Sequence, residues 1–405
     1  MSQSPELGEL RLLLEELCCD LSRFEHVSRD GLAPEDVQID REVALGAPRA
    51  FADIRVRPGG SPAYFIEVKY GYTDEALVHS LQRKYANPCE VVREATRVVL
   101  LIERKGRADW EGLVRAAAAA LGAGLTLEVW DEARFAAALQ THFHVEMGAF
   151  ETAGLLDVRQ AIDRAKGFHA FGGESLQTYE HDAAKAQLIW HFSFSRLRQM
   201  REARQLGVRE IAPPGHYRDV VVVLADLCSF SSFVRDTPDG EVIRENLTSF
   251  YSKARYQIIN NGGMHYQFVG DEVIGIFGLP DQAPDYVEAA YETARALCSI
   301  GRSVANEWQR QIDRVQSPVG LHVGVALGDL HLLSLRPYSR THIGFIGDCI
   351  NLGARLMSHA TADEIVISNG FYQRLSPAAR AAFHEEEPIE ARNVGRIKAW
   401  KTKVV

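Results

Sequence analysis

Two aspartates at the ends of apolar runs are the side chains of this sequence best placed to do chemistry. Asp226 closes the run "DVVVVLAD" (219–226) and leads into the Ser-rich stretch "LCSFSSF". A carboxylate at a strand end, followed by a loop and then a helix, suits a metal-bound polyphosphate. The acid holds the bridging cation and the loop N–H groups face phosphate oxygens. Asp271 stands in "YQFVGDEVI", where Gly270-Asp271 between two apolar runs signals a tight hairpin. Laid beside the strand of Asp226, that hairpin brings two carboxylates together. Such a pair binds two divalent cations, one activating a nucleophilic oxygen and one holding the leaving phosphates. In "IGFIGDCINLGARL" (343–356), Asn351 and Arg355 are spaced i,i+4 and project from one helical face. An amide there orients a ribose, and an Arg fork stabilises charge building on a phosphoryl group. Each piece alone more often marks a turn, a cap or a solvated helix face. Their order along the chain gives them weight.

The elements that must position these residues read as follows. After the strand at 219–226 come helices near 239–261 and 285–311, with the hairpin between them at about 264–278. Strands at 319–328 and 342–346, a helix at 348–359 and the strand "EIVIS" at 364–368 follow. The order strand–helix–hairpin–helix–strand makes an α+β sandwich rather than a doubly wound sheet. The first half reads as a separate α/β domain over 1–145. A helix near 6–24 precedes strand-like runs Val37–Leu45, Phe51–Val56 and Ala63–Tyr70. A helix from Asp74 to Val92, the strand Arg97–Ile102, a helix through the alanine run 116–120, the strand Leu125–Trp130 and a helix over 131–142 complete it. Residues 146–212 read as a polar helical connector with one apolar insert, "AQLIWHFSFSRLRQM". "IAPPGH" (211–216) then stops any helix, so the second domain spans 213–405.

With "RNVGRIKAW" near the end, the three motifs of the second half resemble the class III nucleotide cyclases, the adenylate and guanylate cyclase superfamily, over about residues 217–405. The resemblance implies a ferredoxin-like α+β catalytic domain. It puts Asp226 and Asp271 on two divalent cations (Mn2+ or Mg2+) per site, with the Leu227 backbone carbonyl as an extra ligand. It makes Ser229, Phe230 and Ser231 the phosphate-binding loop, and Asn351 and Arg355 the transition-state pair. It also implies a head-to-tail homodimer in which the aspartates of one subunit meet the Asn/Arg pair of the other. The implied reaction is attack of a ribose 3′-oxygen on the α-phosphorus, with pyrophosphate leaving.

Two positions depart from the purine-specific members. Gln267 stands where adenylate cyclases carry a Lys that reads the base. Gly344, three residues before Gly347, stands where they carry Asp or Thr. The Glu and Cys of guanylate cyclases are absent as well. Adenine's polar edge would be left unmet at about 1–3 kcal/mol per group. Gln267 offers one donor and one acceptor, which uracil can meet in two registers and cytosine in one. Tyr266, Tyr338 and His342 lie nearby in sequence and can take up the volume of a purine ring. This pattern resembles the pyrimidine cyclases of bacterial anti-phage defence (Pycsar systems), and implies cyclic UMP from UTP, or cyclic CMP from CTP, acting on a separate effector. The alternatives are an adenylate cyclase with an atypical base pocket, a cyclase fold without catalysis, and a nucleic-acid-sensing or nuclease protein regulated by that fold.

In the first half, "DREVALGAPRAFADIRVRPGGSPAYFIEVKYG" (40–71) places Asp53 on one strand and Glu67 and Lys69 on one face of the next. "LQRKY" follows on a helix, with Gln82 and Tyr85 one turn apart. This resembles the PD-(D/E)xK nuclease (restriction-endonuclease-like) fold, whose acids bind a divalent cation and whose Lys activates water or steadies the scissile phosphate. Glu42 is a further candidate ligand. Binding a phage-related ligand or aiding assembly is preferred here to cleavage.

Composition sets outer bounds. The 405 residues carry a formal charge of −9, 46% apolar and 24% charged residues, ordinary for a folded soluble chain. That charge argues against a broad grip on nucleic acid or anionic membrane. No run approaches the ~18 apolar residues of a membrane span. The N-terminal segment carries acids where a signal peptide carries bases, and six scattered cysteines fit reduced thiols. The expected compartment is the cytoplasm.

Overall fold

A computed structural model describes residues 5–33, 36–47, 49–86, 89–147, 154–171, 183–204, 210–335, 342–391 and 395–404. The chain divides into two compact units, Met1–His181 and Asp182–Val405.

In the first unit, α1 (Pro5–Arg29) precedes the strands β1 (Val37–Ala44), β2 (Phe51–Pro58) and β3 (Ala63–Val68), each antiparallel to the next. The helices α2 (Asp74–Tyr85) and α3 (Glu90–Arg93) return the chain to β4 (Ala95–Leu101), parallel to β3. After α4 (Trp110–Ala119), β5 (Thr126–Trp130) adds a second parallel step, followed by α5 (Glu132–Phe143) and α6 (Leu155–Phe171). The sheet order is β1-β2-β3-β4-β5. Every residue of β3 is buried, as expected of a central strand covered on both faces. Leu77, Leu81, Tyr85, Leu113 and Ala117 of α2 and α4 share a core with Phe65, Val98 and Leu100. The start of α2 is capped by the Thr73 hydroxyl, which accepts from the Ala76 N–H. The helix therefore begins where the sequence predicts and ends early, at Tyr85. The segment read as a connector is divided: α6 packs on α1, whereas α7 (Ala183–His191) and α8 (Phe194–Arg204) belong to the second unit.

The second unit continues with β6 (Gly215–Leu227), α9 (Phe230–Asp236), α10 (Gly240–Asn260), the hairpin β7 (Met264–Val269) and β8 (Glu272–Phe277), and α11 (Tyr286–Ile312). Then come β9 (Leu321–Leu335), β10 (His342–Ile346), α12 (Asp348–Ser358), β11 (Glu364–Ser368), α13 (Asn369–Arg374) and α14 (Pro377–Arg380). The short strands β12 (His384–Glu385), β13 (Ile389–Ala391) and β14 (Gly395–Ile397) precede β15 (Ala399–Lys403). The main sheet runs β12-β15-β11-β9-β6-β8-β7, with β10 added along β9 and β13-β14 forming a separate pair. Two strands are longer than the sequence reading. β6 begins at Gly215, directly after Pro213-Pro214, and passes through a bulge between Tyr217 and Val220. β9 continues to Leu335 because its second half pairs with β10.

β6 is the centre of this unit. Val221, Val223, Ala225 and Leu227 face a core built with Phe250, Ala254 and Ile258 of α10 and Ala290, Ala294 and Leu297 of α11. Leu224, on the other face, meets α12 at Gly353, where an added Cβ would stand 2.4 Å from the leucine Cδ1. A Cβ on Gly324 of β9 would stand 2.2 Å from the Gly353 carbonyl oxygen. Helix α12 lies directly on the sheet because both positions lack a side chain. Gly324→Ala should therefore overpack this contact at about 1–3 kcal/mol. Thermal unfolding should show a lower Tm, by roughly 2–4 °C per kcal/mol, and an unchanged Tm would mean that α12 lifts freely.

Candidate active site

The register of β6 and β8 brings the two expected aspartates together. Ala225 pairs with Val273, so Asp226 lies level with the base of the hairpin turn. That turn is two residues long, Gly270-Asp271, between the paired Val269 and Glu272. Gly270 has φ 65, the left-handed value that type II′ hairpins place at their first central residue. Tyr251 of α10 fixes the tip: its hydroxyl donates to the Gly270 carbonyl, and its ring stacks on Phe268 at 4.1 Å.

The Asp226 and Asp271 carboxyls are in hydrogen-bond contact with each other. Two ionised carboxylates repel at that range, so one retains a proton. Burial first, then the hydrogen bond and charge of Asp226, push Asp271 up to about 7. Asp226 is also raised, chiefly by burial, although the bond from Asp271 and the Leu227 N–H oppose the rise. That N–H serves both carboxyls. The sequence reading gave Leu227 its carbonyl as a ligand, and the group found on the carboxyls is its amide. Glu272, raised by burial and then by Asp271, adds a third acid at the edge. His322 stands opposite Asp226 on β9, and burial lowers its pKa against the pull of Asp271 and Asp363. Sequence reading missed Glu272, His322 and Tyr251. The "GDE" run was the only available signal for the first, and the other two arrive through register and helix packing.

Desolvated, mutually repelling carboxylates fit a hard divalent cation, whose charge relieves what burial raises. Among the described residues, no group of three or more His, Cys, Asp or Glu has metal-holding geometry. A cation here must complete its shell with phosphate oxygens and water, the habit of Mg2+ at triphosphate sites.

The loop after β6 offers amides rather than side chains. The Ser229 hydroxyl donates to the Pro318 carbonyl at 2.9 Å, the Phe230 ring packs edge-on against Trp308 at 6.2 Å, and Ser231 is exposed. The Ser229 carbonyl accepts from the Ser232 and Phe233 amides. The Phe230 and Ser231 amides precede the first intrahelical bond of α9.

The base-reading positions lie on β7 and β10. Tyr266 is the extra residue of a β-bulge between His265 and Gln267, which re-aims the strand. Its hydroxyl accepts from the Phe345 N–H at 3.4 Å and its ring meets Phe345 edge-on at 4.9 Å. Tyr266 thus ties the strand of Gln267 to the strand of Gly344. Gln267 is half-buried, with no hydrogen-bond partner among the described residues, and Gly344 is buried. Tyr338 and the side chain of His342 lie outside the described residues.

Asn351 and Arg355 are both exposed on α12, opposite the face that buries Cys349, Gly353 and Leu356. Neither has a side-chain hydrogen bond or ion pair among the described residues, so the chain itself does not join them to the aspartates.

In the first unit Asp53, Glu67 and Lys69 converge, joined by Lys84 and Tyr85 of α2. Lys69 Nζ lies 2.5 Å from Asp53 and 2.6 Å from Glu67, and Lys84 Nζ lies 3.1 and 2.6 Å from the same two acids. The Tyr85 hydroxyl donates to Glu67 at 2.5 Å. Despite burial, Lys69 and then Lys84 hold Asp53 well below the usual carboxylate range. Gln82 is exposed and does not join the cluster. Two residues apart on a helix means about 200° apart, so the face that presents Lys84 turns Gln82 away. Glu42 is buried at φ 51, between the Arg41–Ile54 and Val43–Ala52 pairs opposite Asp53.

Two outcomes follow from the Asp226–Asp271 contact. Asp271 keeps its proton in the folded chain at pH values where the unfolded chain has lost it. The stability it contributes is full at about pH 4 and lost as pH rises through about 7. In EDTA, the Tm of the native chain should therefore fall relative to Asp271→Asn between about pH 5 and pH 8, and Mn2+ should remove the difference. Tyr251→Phe should weaken Mn2+ binding by roughly 2–10-fold, the worth of one hydrogen bond, as read by Mn2+ titration with unchanged circular dichroism.

Residues 213–403 match the adenylate and guanylate cyclase catalytic domain. The adenylate cyclase of Mycobacterium tuberculosis is 22% identical over 227 residues, covering 56% of this chain and 48% of that protein. The membrane guanylyl cyclase of Dictyostelium discoideum is 24% identical over 199 residues, covering 46% of this chain and 12% of that protein. The crystal structure of the adenylyl cyclase CyaB from P. aeruginosa superposes with a TM-score of 0.42 at 20% identity, over 47% of this chain and 95% of that one. The chain spans about half the length of the mycobacterial relative. The family match falls on the unit that holds Asp226, Asp271, Asn351 and Arg355, and residues 213–403 of this chain belong to the class III adenylate and guanylate cyclase family.

Proposed function

We propose that the chain is a nucleotide cyclase that converts a pyrimidine nucleoside triphosphate, UTP first, to its 3′,5′-cyclic monophosphate and pyrophosphate. The observation that carries the pyrimidine reading is a pair of positions: a neutral Gln267 on β7, whose side chain has no partner among the described residues, and a side-chain-free Gly344 on β10. Tyr266 ties the two strands together through Phe345. A single amide beside a Gly can satisfy a pyrimidine edge, whereas it leaves part of a purine edge unmet.

The residues take these roles. Asp226 and Asp271 hold the divalent cations (Mn2+ or Mg2+), which supply the positive charge that favours an ionised 3′-oxygen and the leaving phosphates. The amides of the Ser229–Ser231 loop face the phosphate chain. The 3′-hydroxyl loses its proton to water as its oxygen bonds to the α-phosphorus, and the bond from that phosphorus to the bridging oxygen breaks, that oxygen leaving with the pyrophosphate. Asn351 holds the ribose, and Arg355 donates to the α-phosphoryl oxygens as their charge grows. Asn351 and Arg355 are exposed and have no side-chain partner among the described residues of one chain, which supports a head-to-tail homodimer in which each pair completes the partner's site. In this reading the product acts on a separate effector in anti-phage defence, as the resemblance to pyrimidine cyclases implies. The antiparallel start and parallel end of the first unit's sheet support its restriction-endonuclease-like reading. No helix among the described residues is long and apolar enough to cross a membrane.

The alternative of an adenylate cyclase with an atypical pocket draws on the mycobacterial relative and predicts cyclic AMP. Incubation of the purified chain with each of the four NTPs and Mn2+ separates the readings. Cyclic UMP or cyclic CMP should dominate, and cyclic AMP as the main product would sink the pyrimidine reading. Asp271→Ala and Arg355→Ala should each cut kcat at least ~100-fold. Mixing the two variants should restore one composite site per heterodimer, and no recovery would count against the shared site.

A further inference from the structure

The nuclease resemblance of the first unit implies a divalent cation between Asp53 and Glu67, and the residues present do not fit one. All four carboxylate oxygens are already engaged. Asp53 Oδ1 accepts from Lys84 Nζ at 3.1 Å, and Oδ2 accepts from Lys69 Nζ at 2.5 Å and the Val68 N–H at 2.8 Å. Glu67 Oε1 accepts from the Tyr85 hydroxyl at 2.5 Å, and Oε2 lies 2.6 Å from both Lys84 Nζ and Lys69 Nζ. The cluster is largely withdrawn from solvent: Glu67 is 0% exposed, Lys69 3% and Lys84 7%, and the Asp53 side chain 12%.

A single Lys beside two acids, the nuclease arrangement, leaves negative charge that a cation can neutralise. Here the second ammonium bridges both acids from the position a cation would take. Lys84 donates to Asp53 and Glu67 together, as a bridging metal would, and it does so from the last turn of α2, where the helix dipole favours a cation. A divalent ion entering beside it would face two ammonium groups in a desolvated pocket. An ion replacing it would have to drive a buried charged side chain out of the core.

We infer that the Lys84 ammonium takes the place of the divalent cation, so that the first unit is a metal-independent module rather than a nuclease. The ion cluster serves to join α2 to the β2–β3 edge. Every carboxylate oxygen that could hold a cation for a scissile phosphate already has an ammonium, hydroxyl or amide donor.

The test uses the full chain carrying Asp226→Asn and Asp271→Asn, which removes the acids of the cyclase site. Mn2+ titration followed by EPR should show no saturable site dependent on Glu67, and duplex DNA incubated with Mn2+ should stay intact. Adding Lys84→Met should create one Mn2+ site at least tenfold tighter than any residual binding, which Glu67→Gln then removes. A Glu67-dependent Mn2+ site or Glu67-dependent DNA cleavage with Lys84 in place would overturn the inference. So would a folded Lys84→Met chain with no new site. If Lys84→Met does not fold by circular dichroism, Lys84→Gln takes its place, and the titration of the chain with Lys84 decides independently of either.

Discussion

The contact between the Asp226 and Asp271 carboxyls is the constraint around which the second unit is arranged. Two acids do not come together in a half-desolvated place unless the backbone forces them, and here it does. β6 is buried on both faces and cannot shift register without turning Asp226 into the core. β8 pairs with it residue for residue from Val221–Phe277 to Ala225–Val273, and the two-residue turn leaves Asp271 no freedom along the strand. The hydrophobic cores on either side of β6 therefore supply the free energy that holds the two carboxyls at hydrogen-bond range. Burial raises the pKa of both acids, and the hydrogen bond and charge of Asp226 raise that of Asp271 further.

The same sheet seats the helix that carries Asn351 and Arg355. α12 is seated on β9 and β6 through Gly324 and Gly353, and this close approach orients Asn351 and Arg355 outward. A guanidinium facing solvent costs nothing to keep charged, and it remains available for a phosphoryl group. Were it folded back against Asp226 and Asp271, it would neutralise the acids and displace the cation they suit.

Much of this was legible in the sequence. The valine run of β6, the Gly-Asp hairpin and the i,i+4 pair on α12 each follow from local periodicity or turn chemistry, and all three stand where that reading put them. Less legible were features carried by register. His322 comes opposite Asp226, and β9 extends to Leu335, only because particular strands pair. Tyr251 reaches the hairpin tip from α10 through tertiary packing. The polar connector gave no sign that α6 and α7 would join different units, since their apolar residues carry no label of the surface they cover. In the first unit, "LQRKY" drew attention to Gln82, and helical geometry instead delivers Lys84 to the acids. Spacing named the helix and left its face open.

The two acid pairs of the chain make the last point. Both are formed by strand-end carboxylates brought together by a sheet, and both read in sequence as divalent cation sites. Their surroundings drive them in opposite directions. Among the described residues Asp226 and Asp271 have no lysine or arginine paired with them, and burial raises their pKa values. Asp53 sits against two ammonium groups that hold it well below the usual range despite burial. A raised pair is an unmet demand for positive charge, whereas an acid lowered despite burial, as Asp53 is, has had that demand met by the protein itself. Whether a pair of acids awaits a metal is therefore decided by the cations the fold already places beside it, and a lysine on a neighbouring helix is enough to reverse the answer.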